Sequence, residues 1–275
     1  MKATLIFVIG HLALVGALRI PAALRPCAGA AVCSGFLLSP LPAHAVSLPD
    51  VITAYSEAAY PVLKALPSDG TEKFFGKAAD IVLSIKPDKL GKGIDLTLDV
   101  MNSVPGEKVA AFSSALKESY GGAKVGSCAL APLPPPSALA KLKSSEALAA
   151  VDASKLSAFA SKWGGVLRSL PKTDSAICLP PTPASLANLA LAQSEVALSF
   201  GSAETKAWGN FAQALPSTIP GGFGTLLPLV NEGNALQRGA SMQERQALKS
   251  ATATLESSAK ACVGRPEKCG FAARP

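Results

Sequence analysis

The chain contains only two histidines, His11 and His44, and no histidine follows them. If the leader described below is removed, the remaining protein has no imidazole to act as a general acid or base, to activate a Ser or Cys nucleophile, or to bind zinc or haem. Catalysis by a pair of carboxylates stays open, but no two acids stand out from the periodic background. The composition therefore predicts no catalytic residue, no metal site and no cofactor.

Long hydrophobic runs are also missing from residues 46–275, where no stretch of 18 apolar residues occurs. A membrane-spanning helix needs about 20 such residues, so this region is predicted to be soluble or peripheral to a membrane. The region lacks an Arg-rich stripe with interleaved aromatic residues, which argues against nucleic acid as a partner. Its scattered lysines, at helical spacing, are interpreted as solvated helix faces.

Acidic residues are absent before Asp50, while three of the 26 basic residues (Lys2, Arg19 and Arg25) lie in that part of the chain. The remaining 23 basic and 19 acidic residues leave a net charge of +4 for residues 46–275. Two hydrophobic segments occur in series within the acid-free part. The first ends at Val15-Gly16-Ala17, and the second runs from Cys27 to Leu41 and is followed by Ala43-His44-Ala45.

This layout predicts cleavage after small residues at Ala17 and, through Ala43 and Ala45, before Val46. It resembles the multi-part presequence of thylakoid-lumen proteins in plastids bounded by extra membranes. In such presequences a signal peptide, a basic transit stretch and a lumen-transfer signal follow one another. The resemblance covers residues 1–45 only. It implies a compartment, the thylakoid lumen of a plastid, and it implies no activity.

Two other interpretations of the leader remain open. One is a single long secretory signal on an exported protein, and the other is an uncleaved N-terminal anchor. The second hydrophobic run has about 14 residues before Pro40 and Pro42, which is short for a permanent span.

Four of the six cysteines lie after the leader, and an even number in an exported chain predicts two disulfides. Cys262 and Cys269 enclose a short segment with Gly264 and Pro266, so they are predicted to close a small loop. Cys128 and Cys178 occur in matching contexts and are predicted to form the long-range bridge. A four-cysteine metal site is the rival interpretation, although the close pairs typical of structural zinc are missing.

Apolar residues recur at intervals of three and four throughout residues 46–262, which predicts an all-α fold. About ten short helices are expected, joined by short connections and therefore packed antiparallel to their neighbours. Proline or capping residues mark several starts: Asp69 or Thr71, Pro87, Pro105 and Ser241 with Glu244. The predicted helices are 49–66 (interrupted or kinked at Pro61), 71–85, 87–103, 105–119, 136–149, 152–170, 183–200, 203–215, 222–237 and 241–262. Turn-rich connectors are expected at 120–135 and 171–181, and residues 263–275 form a disulfide-closed tail.

An internal duplication of a two-helix unit is predicted from two matching segments. Each has Cys, a Pro-rich turn and then Ser near Leu-Ala-x-Leu, at 128–142 and at 178–189. Upstream, Lys108-Val-Ala-Ala-Phe112 matches Lys155-Leu-Ser-Ala-Phe159, and Lys206 to Phe211 is a weaker third match. A period near 50 residues is typical of a helical repeat array. Chance similarity within an Ala-rich chain is the alternative.

Both tryptophans lie beside glycines: Trp163 precedes Gly164-Gly165 and Trp208 precedes Gly209. They are interpreted as core residues with glycines that permit close helix contact, and contact with a pigment or a partner is the alternative. The glycines of Gly91-Lys92-Gly93 follow no strand, so they do not predict a phosphate or dinucleotide loop.

A binding or structural role is the expectation that remains. Photosystems and antennae are the abundant complexes that face a thylakoid lumen, so in that compartment the expected role is a non-enzymatic, peripheral subunit or stabilising factor of a photosystem core or a chlorophyll-binding antenna complex. The alternatives are a lumenal carrier of a pigment, lipid or quinone, and an exported helical protein unrelated to photosynthesis.

Overall fold

A computed structural model describes residues 47–132, 137, 140–141, 144–173 and 176–262, without the side chains of 130–132, 223 and 260–262. The described chain is all-α, as the sequence predicts. Its helices are α1 (Leu48–Lys64), α2 (Ser68–Ser84), α3 (Pro87–Ser103), α4 (Gly106–Tyr120), α5 (Glu146–Ala149), α6 (Ala153–Ser169), α7 (Pro183–Leu198), α8 (Ser202–Thr218), α9 (Phe223–Leu236) and α10 (Met242–Cys262). Short 3-10 turns lie at Val125–Ser127 and Gln237–Gly239.

Several helices begin where local chemistry places them. The capping box at α10 is present: the Ser241 amide donates to Glu244 Oε2 at 2.8 Å, and the Glu244 amide donates to Ser241 Oγ at 3.2 Å. Pro87 occupies the first turn of α3, where its missing N–H has no partner to lose. The Thr182 hydroxyl accepts from the Ser185 amide at 3.1 Å and caps α7.

The start of α2 differs from the prediction. This helix begins at Ser68 after Pro67, so Asp69 and Thr71 lie inside its first turn and neither caps it. The Thr71 hydroxyl donates instead to the Pro67 carbonyl, four residues back, at 2.8 Å. Helix propensity alone does not place this boundary, because the proline before Ser68 already fixes the entry of the chain.

Proline inside a helix is tolerated more than the prediction allowed. Helix α1 is one element through Pro61, and α8 continues through Pro216 to Thr218, where the sequence pattern predicted an end at 215. Each proline lies near the C-terminal end of its helix, so each disturbs the backbone bonds of only one helical turn.

The two predicted connectors contain a feature that the helical pattern does not show. Leu130–Pro132 forms strand β1 and Ala176–Cys178 forms strand β2, paired antiparallel with Leu130 opposite Cys178. This ribbon joins the segment after α4 to the segment before α7.

The packing of the helices does not follow chain order. Helix α1 lies against both α7 and α10, and α7 also contacts α4. Helix α3 contacts α5, α6 and α8, α4 also contacts α6, and α9 packs against α2. The most extensive contacts thus join helices that are distant in the sequence, and the predicted antiparallel packing of consecutive neighbours is not confirmed.

The first and last described helices run antiparallel. Leu255 of α10 packs beside Leu48 and Ile52 at the start of α1. At the other end, Gly239 precedes α10 and lies against the Ala65 carbonyl that follows α1. Helix α10 therefore returns along α1 and closes the described fold.

The main apolar cluster lies among α3, α4, α6 and the ribbon. Trp163 is 4 % exposed and contacts two phenylalanine rings, Phe112 at 6.2 Å between centroids and Phe159 at 6.5 Å. The structure places Trp163 in the core, as the sequence indicates, whereas Trp208 on α8 is only half-buried. The matching segments 108–112 and 155–159 thus lie in two helices that touch, α4 and α6, but a duplicated two-helix unit is not confirmed.

The glycines that allow close helix contact are not those beside the tryptophans. A Cβ at Gly165 or Gly209 would meet nothing within 4 Å, whereas a Cβ at Gly93 would lie 2.6 Å from the Phe211 ring. A Cβ at Gly91 would lie 2.8 Å from Ala150 Cβ. The pair Gly91 and Gly93 therefore lets α3 approach the end of α5 on one side and α8 on the other.

Gly93→Ala is expected to destabilise the protein, while Gly209→Ala is its matched control in the partner helix. Both gain about 1 kcal/mol of helix propensity. At Gly93 the added methyl must displace Phe211, and overpacking typically costs about 1–3 kcal/mol. Urea unfolding should therefore show Gly209→Ala as more stable than the parent and Gly93→Ala as less stable. A gain of stability in both variants would contradict this contact between α3 and α8.

Among the described helices, none combines the length and the hydrophobicity that a membrane-spanning segment requires.

Candidate functional site

Two of the predicted site cysteines come together on the ribbon. Cys128 and Cys178 form a disulfide with a Cα–Cα distance of 5.5 Å. Cys178 ends β2 and is fully buried, while Cys128 precedes β1 and is partly exposed. This is the long-range bridge predicted from the matching sequence contexts of the two residues.

The other predicted site residues lie outside the described part of the chain. The backbone of Cys262 ends α10, but its side chain and all of Cys269 are outside it, so the predicted Cys262–Cys269 bridge stays a prediction. The predicted processing residues Ala17, Ala43 and Ala45 are also outside the described residues.

Strand β2 is held by bonds that do not depend on the disulfide. The Tyr120 hydroxyl donates to the Cys178 carbonyl at 2.8 Å, and the Cys178 amide donates to the Pro171 carbonyl at 2.9 Å. Farther along, the Tyr60 hydroxyl donates to the Pro181 carbonyl at 2.5 Å. Two tyrosines on α4 and α1 thus fix the path of the chain from the disulfide into α7.

No motif in the sequence singles out Tyr120. The available signal was position: Tyr120 is the last residue of α4, directly before Gly121 and Gly122, which adopt positive φ angles of 52° and 75°. The chain changes direction at these glycines, so a tyrosine beside them is readily buried by the segment that follows. Its buried hydroxyl then needs a hydrogen-bond acceptor in that segment.

Burial raises the pKa of Tyr120 from 10.0 to about 12. A group whose pKa is raised in the folded state contributes stability that is complete below pH 10 and is lost as the pH rises toward 12. Part of this stability is already lost at pH 11, because the unfolded chain ionises at this position before the folded protein does.

Tyr120→Phe should therefore lower stability near pH 7, where it removes the bond to the buried Cys178 carbonyl, by about 1–3 kcal/mol. The difference from the parent should shrink between pH 10 and 12. The pKa of Lys155 is raised as well, by its hydrogen bond with Asp99, so the informative quantity is the difference between the two proteins in urea unfolding at each pH. A stability difference between the two proteins that stays constant up to pH 12 would contradict the raised pKa of Tyr120.

A second group of polar contacts joins α3 to α6. Asp99 and Lys155 form an ion pair at 2.6 Å, with both side chains 31 % exposed. The Asp152 amide donates to Asp95 Oδ1 at 2.9 Å, and Asn102 Nδ2 donates to the Lys155 carbonyl at 3.0 Å. The hydrogen bond with Asp99 raises the pKa of Lys155 more than its partial burial lowers it, so this lysine stays charged across the neutral range.

The same helix pair satisfies the last carbonyls of α3. Lys162 Nζ donates to the carbonyls of Asn102 and Val104, the latter at 2.7 Å. Trp163 Nε1 donates to the Met101 carbonyl at 3.1 Å. These carbonyls have no partner inside their own helix and carry partial negative charge, so a lysine is well suited to them.

The interpretation of the lysines as solvated helix faces is therefore wrong for Lys155 and Lys162. Both are half-buried and take part in helix contacts. Their long apolar stems lie along the contact while the ammonium groups reach polar partners. Sequence spacing does not show which lysine has a carboxylate or a free helix end within reach.

The described residues contain no group of three or more His, Cys, Asp or Glu side chains that could hold a metal ion. The ribbon cross-links two segments of the chain, and the polar contacts between α3 and α6 orient these two helices. Comparison with protein-family models, with curated proteins and with solved structures finds no match to this chain.

Proposed function

We propose that this protein is a non-enzymatic, peripheral subunit or stabilising factor that binds a photosystem core or a chlorophyll-binding antenna complex in the thylakoid lumen of a plastid. The observation that carries the proposal is the acid-free leader, with two hydrophobic segments in series and the small-residue site Ala43-His44-Ala45. Photosystems and antennae are the abundant membrane complexes that present a face to that compartment.

Three features of the remaining chain support a non-enzymatic role in that compartment. Histidine is absent after His44, which removes the most common acid–base group of enzymes. The Cys128–Cys178 disulfide suits a compartment outside a reducing cytosol. Tyr120 and Lys155, whose pKa values are both raised, each bond to a neighbouring helix or strand of the protein itself.

The mode of binding is proposed to be mainly electrostatic. The large exposed apolar side chains among the described residues are scattered over three helices: Leu198, Leu227 and Met242 are 37 %, 58 % and 68 % exposed. Single exposed apolar residues are normal on a protein surface. The excess of four basic residues after the leader provides a charge that an acidic lumenal face of a complex would attract.

Co-migration tests the proposal directly. Membranes are opened, solubilised in mild detergent and resolved on a native gel, and the protein is expected with a pigment-bearing complex. Washing the opened membranes with about 1 M salt, where the Debye length is about 3 Å, should release it. Retention in salt with release by a mild chaotrope would point to an apolar contact instead. Finding the protein only free would overturn the proposal, and a bound pigment or lipid would then favour the carrier.

Two charge-reversal variants locate the contact face. Lys89 and Lys92 are exposed on α3, and Lys117 and Lys124 are exposed at the end of α4 and in the turn after it. Replacing either pair by glutamate changes the net charge by the same amount. Unequal loss of co-migration would identify the face, while equal loss would indicate attraction by overall charge.

A further inference from the structure

The disulfide-linked ribbon is built asymmetrically. Cys178 is fully buried, and its carbonyl and amide bond to Tyr120 and Pro171. A further antiparallel backbone bridge links Lys172 with Ile177. Strand β2 would therefore keep most of its fixed contacts if the disulfide were opened.

The Cys128 side of the ribbon has fewer such attachments. Cys128 is partly exposed and follows the 3-10 turn at Val125–Ser127, whose residues are half-buried or exposed. This side is attached through the disulfide and through partial packing of Val125 and Cys128 against the main apolar cluster. It is also attached through the pairing of β1 with β2, including the bond from the Leu179 amide to the Ala129 carbonyl at 2.7 Å, and through contacts of β1 with α2.

We propose that Cys128–Cys178 is a redox-sensitive latch that a protein dithiol opens in the folded state through Cys128. A thiolate of the reductant attacks Cys128 Sγ, because the partly exposed cysteine is the one it can reach. The Cys128–Cys178 bond breaks, and Cys178 leaves as a thiolate that takes up a proton. The second thiol of the reductant then attacks the mixed disulfide, releases Cys128 as a thiol and leaves the reductant oxidised.

Opening the latch removes the covalent attachment of β1 and of the 3-10 turn before it and leaves them held by non-covalent contacts alone, while β2 stays attached through Tyr120 and Pro171. The two electrons come from the dithiol, so the step needs no other co-reactant. The latch thus connects the redox state of the surroundings to the segment between α4 and β1. The inference is independent of the proposed lumenal partner, since it rests only on burial and bonding at the ribbon.

The first test traps the attack. The purified protein, without denaturant, is incubated with a thioredoxin-type dithiol protein whose second cysteine is replaced by serine, and the mixed disulfide is located by peptide mapping. Capture at Cys128 is expected. Capture at Cys178, or capture only after denaturant is added, would overturn the proposal, because the bond would then be purely structural.

The second test compares the two thiols after reduction. In the reduced protein, alkylation by iodoacetamide should be roughly tenfold or more faster at Cys128 than at Cys178, since Cys178 needs a local opening of the structure first. Hydrogen exchange should rise for 121–132 and remain slow for 176–182. Tyr120→Phe, which removes an attachment of β2, should raise the alkylation rate at Cys178 more than at Cys128. Equal rates at both thiols in the parent protein would contradict the asymmetry.

Discussion

Trp163→Ala is expected to lower the free energy of unfolding by about 3–5 kcal/mol, the usual range for removing a buried aromatic side chain. Trp163 is 4 % exposed, has Phe112 edge-on and Phe159 nearly parallel, and donates its indole N–H to the Met101 carbonyl. The substitution opens a cavity among α3, α4 and α6 and removes a bond to the end of α3. Urea unfolding followed by circular dichroism measures the loss.

Trp208→Ala is the matched control, because this second tryptophan also precedes a glycine but is only half-buried on α8. Its loss should be clearly smaller. If Trp163→Ala fails to fold, Trp163→Phe separates packing from hydrogen bonding: it keeps a ring and removes the bond to Met101, at a cost of about 1–2 kcal/mol. Equal losses for the two alanine variants would contradict a core centred on Trp163.

Removal of the disulfide by Cys128→Ser with Cys178→Ser is expected to cost roughly 4 kcal/mol. The bridge closes a loop with a sequence separation of 50 residues, and the chain-entropy model assigns a loop of that length this effect. Denaturant unfolding of the double variant against the oxidised parent measures it, and the parent under a strong reductant should lose a similar amount.

The second cysteine pair is the control for this experiment. Cys262→Ser with Cys269→Ser removes the predicted short loop, which should contribute less because the loop-entropy term grows with length. Free thiols at both Cys128 and Cys178 in protein purified without any reductant, found by peptide mapping, would overturn the Cys128–Cys178 pairing.

The ends of helices were the part of the fold most readily predicted from the sequence. Proline and capping chemistry act within one turn, so the start of α3 at Pro87 and the capping box of Ser241 and Glu244 can be predicted without any tertiary contact. The predicted boundaries were wrong at α2 and α8. Helix α2 begins directly after Pro67, whereas α8 continues through Pro216 to Thr218. The two strands could not be predicted from hydrophobic periodicity, because three residues are too few to show an alternating pattern.

The sequence by itself determined the helical class, the absence of imidazole chemistry after His44 and the cysteine pair that joins the two connectors. These depend on composition, local propensity and matching segments, which are all properties of the linear chain. Only the tertiary structure decided which glycines lie against a neighbouring helix, which tyrosine donates a hydrogen bond to the ribbon and which lysines are half-buried in helix contacts. Those assignments depend on contacts between residues such as Gly93 and Phe211, or Tyr120 and Cys178, that are far apart in sequence. Long-range contacts are set by the packing of whole helices, and no local pattern carries that information.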